Sequence, residues 1–358
     1  MCSRTHDINI KSFEPLVDPN TIKEEMPITP ASEQTVVEGR RQITRILAHE
    51  DPRMLMIVGP CSIHDEKAAA EYAERLAALQ KEVKETMLLV MRVYFEKPRT
   101  TVGWKGLLND PHMNGSCDMN EGLRRARRIL MQVTELGLPT ATEMLDPITP
   151  QYLAGLVCWS AIGARTTESQ THREMASGLS MPVGLKNCTD GSLTKAIHAM
   201  IAARTPQSFI GVDPHGRTCI VSTTGNPWTH IVLRGGHRPN YDSVSIEEAC
   251  RELKEAGLEE TIIVDCSHGN SRKKHEGQAV VLKNIVGQRL EGNSAIVGAM
   301  LESNLYEGNQ PCQADPEKLA YGVSVTDECI SWETTEKLLK CAHRRLLEEV
   351  IDPLRKAS

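Results

Sequence analysis

No stretch of this sequence is apolar for longer than a β-strand needs, so a membrane-crossing helix is not expected. Neither GxGxxG nor GxxxxGK followed by Ser or Thr occurs, which removes the common glycine-rich phosphate loops. Positive charge is also in short supply: the formal net charge is −6, which argues against general nucleic-acid binding. Fixed-period repeats and low-complexity segments are absent. The 11 cysteines include no CxxC pair, and an odd set of this kind is not a disulfide framework. A reducing cytoplasm is the simpler expectation. Arg4, His6, Asp7 and Lys11 break any early apolar run, so a signal peptide is not expected.

What is present is a chain of 358 residues, 40% hydrophobic and 25% charged, with ample material for one core. Eight short apolar runs read as buried strands, and most end in a residue able to do chemistry. Met54–Val58 leads into Cys61, and Leu88–Val90 into Arg92 and then 95–100. Thr140–Thr142 ends at Glu143, Ala161–Ala164 at Arg165, and Val183–Leu185 at Lys186. His230–Leu233 ends at Arg234, Ile262–Val264 runs into 265–268, and Ala295–Met300 into Glu302. Strands alternating with helical segments argue an α/β fold with a parallel sheet, here a TIM (β/α)8 barrel. Such a barrel brings strand C-terminal ends to one face, where active sites lie.

Amphipathic helices are expected over 66–85, 120–136, 192–204 and 246–256. Residues 1–50 precede the barrel as an N-terminal extension, with a helix over Ser32–His49 and Ser32 as its N-cap. Residues 51–358 form the catalytic barrel, closed by a C-terminal helix over Glu333–Glu349. The runs Ser208–Val212 and Thr218–Ser222 flank Asp213-Pro214-His215-Gly216, which signals an inserted β-hairpin near 208–222. Tyr306–Tyr321 is a long polar loop ordered by function or by a partner.

Two constellations carry chemistry. Cys61, His268, Glu302 and Asp327 offer a thiolate, an imidazole and carboxylates from strand-end or adjacent loop positions. That mixed set suits a divalent Mn, Fe, Co or Zn ion better than Mg, which avoids sulfur. Each residue alone has a plainer reading, such as Cys61 as a small buried hydrophobe. Cys266 belongs to the core. Arg92, Lys97, Arg99, Lys105, Arg165, Lys186 and Arg234 would share one mouth, and so many cations imply dianionic ligands with Glu143 as an internal counterion. Lys105 reads equally well as a surface side chain.

Residues 59–64, 91–106, 161–170, 233–236, 265–270 and 322–327, with Glu302-Ser and Glu307-Gly-Asn-Gln, together resemble one family. The chain is similar to the 3-deoxy-D-arabino-heptulosonate 7-phosphate (DAHP) synthases of the short bacterial class with an N-terminal extension, most of all the tyrosine-sensitive type. One departure is Cys188, where the family usually has glycine; a positive φ there would strain the loop. The resemblance implies a transferase joining phosphoenolpyruvate to D-erythrose 4-phosphate and water, with release of phosphate, at the first step of the shikimate pathway. It implies that Arg92, Lys97, Arg165, Lys186 and Arg234 hold phosphoenolpyruvate, that Pro98, Arg99 and Thr100 meet the sugar phosphate, and that Cys61, His268, Glu302 and Asp327 bind the metal. Lys97 delivers a proton to the new alkoxide, its pKa depressed by neighbouring cations. A sister enzyme with a five-carbon acceptor and a non-catalytic regulatory barrel are the alternatives, and the 100–106 continuation favours the four-carbon acceptor.

The resemblance further implies a homodimer or homotetramer built partly by residues 1–50, and an aromatic amino acid effector. That site would include Asp7 from a neighbouring subunit with Gln151, Leu179, Ser180, Phe209, Gly211 and Val221. Gly211, where phenylalanine-sensitive relatives carry serine, leaves room for a phenolic hydroxyl, so tyrosine is expected and tryptophan is second. A hairpin that only stabilises an oligomer is the plainer alternative. Cys329, two residues past Asp327, either pairs with Cys61 on oxidation or is simply core.

Overall fold

A computed structural model describes residues 5–312 and 316–356. In chain order the elements are α1 (Pro19–Glu25), α2 (Pro30–Leu47), β1 (Met54–Gly59), α3 (Glu66–Val83), β2 (Met87–Arg92), α4 (Met119–Glu135) and β3 (Thr140–Glu143). Next come α5 (Pro150–Leu153), β4 (Trp159–Ile162), α6 (Gln170–Gly178), β5 (Val183–Lys186), α7 (Thr194–Arg204), and the pair β6 (Ser208–Val212) and β7 (Thr218–Ser222). The chain ends with β8 (Thr229–Leu233), α8 (Ser243–Glu255), β9 (Ile262–Asp265), α9 (Gly277–Leu290), β10 (Ile296–Glu302) and α10 (Trp332–Lys356). Eight strands close a parallel barrel in the order β1-β10-β9-β8-β5-β4-β3-β2, the expected TIM architecture. β6 and β7 stand apart as the expected hairpin, with Phe209 opposite Val221 and Gly211 opposite Cys219.

Side-chain alternation builds two cores from one sheet. Leu55, Ile57, Leu88, Val90, Trp159, Val232, Ile263 and Met300 point into the barrel and fill it. Met54, Met56, Val58, Leu89 and Met91 point outward and pack with residues of α3, α4 and α9. The interior cluster also contains Val36, Ile43, Ile46 and Leu47 of α2. Arg40 donates to the carbonyls of Ala154 at 2.7 Å and Val157 at 2.9 Å, and Thr261 Oγ1 donates to Leu47 O at 3.3 Å. These bonds tie α2 to the turns that lead into β4 and β9. Helix α2 is therefore the floor of the barrel, closing the N-terminal end of the strands.

Several boundaries differ from expectation. Thr29, not Ser32, caps α2: its Oγ1 accepts from Ser32 N at 3.3 Å, and Pro30 supplies a pre-set φ at the first turn. Ser32 is buried and accepts from Thr134 Oγ1 at 2.9 Å instead. Strand β4 covers Trp159–Ile162 rather than 161–164, so Arg165 sits in the following turn. Helices α1, α5, α6 and α9 have no counterpart among the expected elements. Cys188 is not among the non-glycine residues with positive φ, so the anticipated strain is absent; Gly191 (φ +102°) turns that loop. In the 306–321 segment, Gly308 pairs with Cys329, and Gln310 Nε2 donates to Ala320 O and Val323 O at 2.9 and 3.0 Å. Pro316 begins a short helical turn there. Among the described residues no helix is long and apolar enough to cross a membrane.

The extension also carries an outer arm. Asp18 caps α1, Asn20 N donates to Pro214 O in the hairpin turn at 3.0 Å, and Tyr152 Oη donates to Val17 O at 2.6 Å. Ahead of α1, Ile8, Ile10, Phe13 and Leu16 are exposed, as are Ile210 and Ile220 on the outer hairpin face.

Candidate active site

The C-terminal ends of the strands surround a cavity of about 80 Å³. Lys97, Pro98, Arg99, Glu143, Gly163, Ala164, Arg165, Lys186, Arg234, His268, Thr326 and Asp327 line it. A larger cleft of about 790 Å³ lies between His64, Arg125 and Tyr321, away from this chemistry. The smaller one matters more, because its walls are the charged strand ends. Arg92, Cys61 and Glu302 lie buried in the same strand-end layer. Thr100 and Lys105 are exposed and do not line the cavity.

The strand ends hold each other in place. Arg92 is 1% exposed; its Nη2 donates to Glu302 Oε1 at 3.0 Å, and its guanidinium lies 4.1 Å over the Tyr94 ring. Its Nη1 has no partner, nor do the Tyr94 hydroxyl and Glu143 Oε1. Buried polar atoms without partners are rare in native folds and mark where a ligand or ordered water belongs. Lys97 Nζ donates to Cys61 O at 2.9 Å and lies 3.2 Å from Cys61 Sγ. Gly163 leaves Glu143 its place: a Cβ there would meet Glu143 Oε1 and push that carboxylate aside. The loop 97–105 closes on itself through Lys97 N to Lys105 O at 2.8 Å.

One electrostatic expectation is corrected. Burial pushes the Lys97 ammonium down, but Cys61, Glu302 and Glu143 outweigh it and hold its pKa above the ordinary value. The nearby anions, not the neighbouring cations, decide the sign. Glu143 makes no close ion pair among the described residues, and its carboxylate acts on Lys97 at longer range. The close counterions are Glu302 for Arg92 and Asp265 for Lys186, whose Nζ lies 2.7 Å from Asp265 Oδ2.

Donor atoms also converge. Cys61 Sγ and carboxylate oxygens of Glu302 and Asp327 lie within 4.8 Å of one another. His268 Nε2 is 3.9 Å from Glu302 Oε1 and 4.0 Å from Asp327 Oδ2. These separations and this mixed donor set fit one borderline divalent ion. His268 adopts a left-handed φ of +57°, a conformation held by Lys273 N donating to His268 O at 2.7 Å. Burial, with Glu302, pushes the Cys61 thiol up to about 11 in the absence of a cation; a bound metal inverts that logic.

Sequence reasoning missed Asp265, although its signal is a carboxylate three residues ahead of His268. It also missed Glu96, which is 4% exposed and accepts from Asp146 N at 3.2 Å. Burial, with Asp146, lifts the Glu96 carboxyl to about 8.

The expected effector residues lie elsewhere. Phe209, Gly211 and Val221 share the half-buried hairpin face, and Leu179 and Ser180 follow α6, which is tied to the hairpin base by Ser177 Oγ and Thr223 Oγ1 at 2.7 Å. Gln151 is on α5, and Asp7 lies in the arm with φ +53°.

Residues 25–340 match the DAHP synthetase I family. The chain belongs to that family. It is 52% identical over 341 residues to the Tyr-sensitive phospho-2-dehydro-3-deoxyheptonate aldolase of Escherichia coli (strain K12), covering 95% of this chain and 96% of that one. It is 52% identical over 334 residues to the Phe-sensitive enzyme of the same strain, covering 93% and 95%. The Trp-sensitive enzyme is 50% identical over 338 residues, covering 94% and 97%. The solved structure of the phospho-2-dehydro-3-deoxyheptonate aldolase from Francisella tularensis SCHU S4 superposes with a TM-score of 0.92 at 44% identity, covering 95% of this chain and 99% of that one.

Proposed function

We propose that this chain condenses phosphoenolpyruvate with D-erythrose 4-phosphate and water, giving DAHP and inorganic phosphate. The observation that carries the reading is the cavity whose wall unites Lys97, Arg165, Lys186 and Arg234 with His268 and Asp327. Arg165, Lys186 and Arg234 with Arg92 receive the phosphate and carboxylate of phosphoenolpyruvate, the arginines through bidentate forks. Pro98, Arg99 and Thr100 meet the sugar phosphate, so two anions are held in register and the encounter becomes effectively intramolecular. Cys61, His268, Glu302 and Asp327 hold a divalent Mn, Fe, Co or Zn ion, which supplies Lewis acidity at the aldehyde.

Carbon 3 of phosphoenolpyruvate bonds to the aldehyde carbon, and the aldehyde oxygen takes the electron pair. Lys97, kept charged by Cys61 and Glu302, is placed to deliver a proton to that oxygen. Water adds at carbon 2, and the hemiketal phosphate collapses by carbon–oxygen cleavage to release phosphate. Glu143, buried with Oε1 free, is the acceptor available to orient that water.

The enzyme works in the cytoplasm as a homodimer or homotetramer. The apolar arm (Ile8, Ile10, Phe13, Leu16) and the outer hairpin face (Ile210, Ile220) support subunit contact. Tyrosine is the effector, bound by Asp7 of a neighbouring subunit with Gln151, Leu179, Ser180, Phe209, Gly211 and Val221. The test is turnover with both substrates, with arabinose 5-phosphate as the rival acceptor, before and after chelation. Product from erythrose 4-phosphate that vanishes on chelation and returns with Mn2+ is expected. Turnover of the five-carbon sugar alone overturns the reading.

A further inference from the structure

Asp265 ends β9 with no exposed surface, and both of its carboxylate oxygens are committed. Oδ1 accepts from Ser267 N at 3.0 Å and from Ser267 Oγ at 2.6 Å. Oδ2 lies 2.7 Å from Lys186 Nζ and 3.0 Å from His268 Nδ1. A single oxygen therefore stands between a candidate metal ligand and a candidate anion-binding cation.

The hydroxyl of Ser267 settles which ring nitrogen carries the proton. Its one hydrogen is given to Asp265 Oδ1, yet its oxygen is also 2.7 Å from His268 Nδ1. The oxygen can then only accept, so Nδ1 is the donor and faces Ser267 and Asp265 together. Nε2 is left with its lone pair toward Glu302 and Asp327. This is the arrangement in which a buried carboxylate orients a metal-binding imidazole and raises its basicity.

We propose that Asp265 is a positioning residue that couples metal occupancy at His268 to phosphoenolpyruvate occupancy at Lys186. The coupling rests on the proposed function of this site. Withdrawal of electron density through Nε2 makes Nδ1–H a stronger donor and concentrates the charge of Oδ2 on the imidazole side. The hold on Lys186 weakens, and its ammonium becomes available to an incoming anion. Conversely, an anion that draws Lys186 away leaves Oδ2 free to polarise His268, which strengthens the ligand. Linkage requires the two effects to be equal in size.

Calorimetric titration tests this without turnover. Phosphoenolpyruvate is titrated into the full-length protein with Mn2+ and with chelator, and Mn2+ is titrated with and without phosphoenolpyruvate. In the wild type each ligand should tighten the other by about 5-fold or more. Asp265→Asn should bind Mn2+ roughly 10–100-fold more weakly, as loss of such an orienting carboxylate commonly does. Its coupling factor should fall by at least half. Ser267→Ala keeps the charge but frees the carboxylate to rotate, so its factor should fall between the two. A folded Asp265→Asn with the wild-type coupling factor overturns the proposal, as does a wild type with no coupling. If Asp265→Asn does not fold, an unchanged factor in Ser267→Ala overturns it equally. Mn2+ binding that survives Cys61→Ala would instead bring down the reading of the metal site, and this proposal with it.

Discussion

The two ends of the barrel use the same strands for opposite purposes. At the floor, Val36, Ile43, Ile46 and Leu47 of α2 meet Leu55, Leu88 and Val297 in an apolar seal, and the polar groups nearby are paired. At the mouth, further along the same sheet, the strands end in Arg92, Glu143, Lys186 and Glu302, and buried atoms of Arg92, Tyr94 and Glu143 lack partners. Among the described residues the floor end leaves His230 Nδ1 without a partner, whereas the mouth leaves atoms of Arg92, Tyr94 and Glu143 in reserve. Stability should therefore respond to the floor and activity to the mouth.

The largest expected effect is at the mouth. Cys61→Ala removes a proposed ligand without disturbing the floor. It should lower kcat/KM by about 100- to 1,000-fold, the order seen when an electrostatic stabiliser is lost. Its Tm should stay within a few degrees, and bound metal should fall in parallel by elemental analysis. Full turnover without metal would break the assignment. Ile43→Ala should do the reverse, costing about 2–5 kcal/mol of unfolding free energy for a buried side chain. The KM values of the remaining folded enzyme should be unchanged; a shifted KM would show that the two ends are not separable.

Titration sharpens the contrast, because each end buries a group that prefers to be neutral but with opposite charge type. His230 accepts from Trp159 Nε1 at 3.1 Å inside the barrel, and burial lowers its pKa to about 3. The unfolded chain binds a proton near the ordinary value of 6.5 that the folded chain refuses, so stability falls as pH drops from about 6.5 toward 3. Glu96 at the mouth runs the other way. Its folded form keeps a proton up to about 8, while the unfolded form loses it near 4.5, so stability falls as pH rises across that interval. Denaturant melts should show a shallower acid limb in His230→Gln and a shallower alkaline decline in Glu96→Gln. A variant whose profile runs parallel to that of the wild type would show that its buried group does not set that limb.

The smallest effect concerns the hairpin. A Cβ at position 211 would meet Val221 Cγ2 at 2.8 Å, so the room that glycine leaves is partly taken by that methyl. Gly211→Ser should displace Val221 and weaken tyrosine inhibition relative to phenylalanine by up to roughly 10-fold, within the range of an ordinary allosteric coupling. An unchanged ratio of inhibition constants would detach residue 211 from effector choice.

What was legible in advance follows from the kind of signal each element carries. The hairpin ranges, 208–212 and 218–222, were readable to the residue because turn chemistry punctuates both ends. Most barrel strands were readable because a buried parallel strand is a continuous apolar run. Strand β4 slipped by two residues because Trp159 and Ser160 do not look like its start, although Ser160 N is paired with Pro182 O at 3.0 Å. Helix α9 mixes apolar and polar residues around its circumference, and α6 begins with a polar stretch, so neither announces a face. At the site, residue types and positions were visible, but pairing was not. Asp265 as the partner of Lys186, and the upward shift of Lys97, depend on distances across the barrel that no linear spacing encodes.

The floor also sets an order on how the molecule is made. Helix α2 is synthesised before any strand, yet it shares its cluster with Ile263, Val297 and Met300, which lie more than two hundred residues downstream. The part of its apolar stripe that meets β9 and β10 therefore stays uncovered on the ribosome until those strands emerge. Closing contacts of such long sequence separation are slow to form, and the interval exposes a greasy helix to other chains. A barrel whose floor helix waits for its last strand should depend on chaperones more for its yield than for its finished stability.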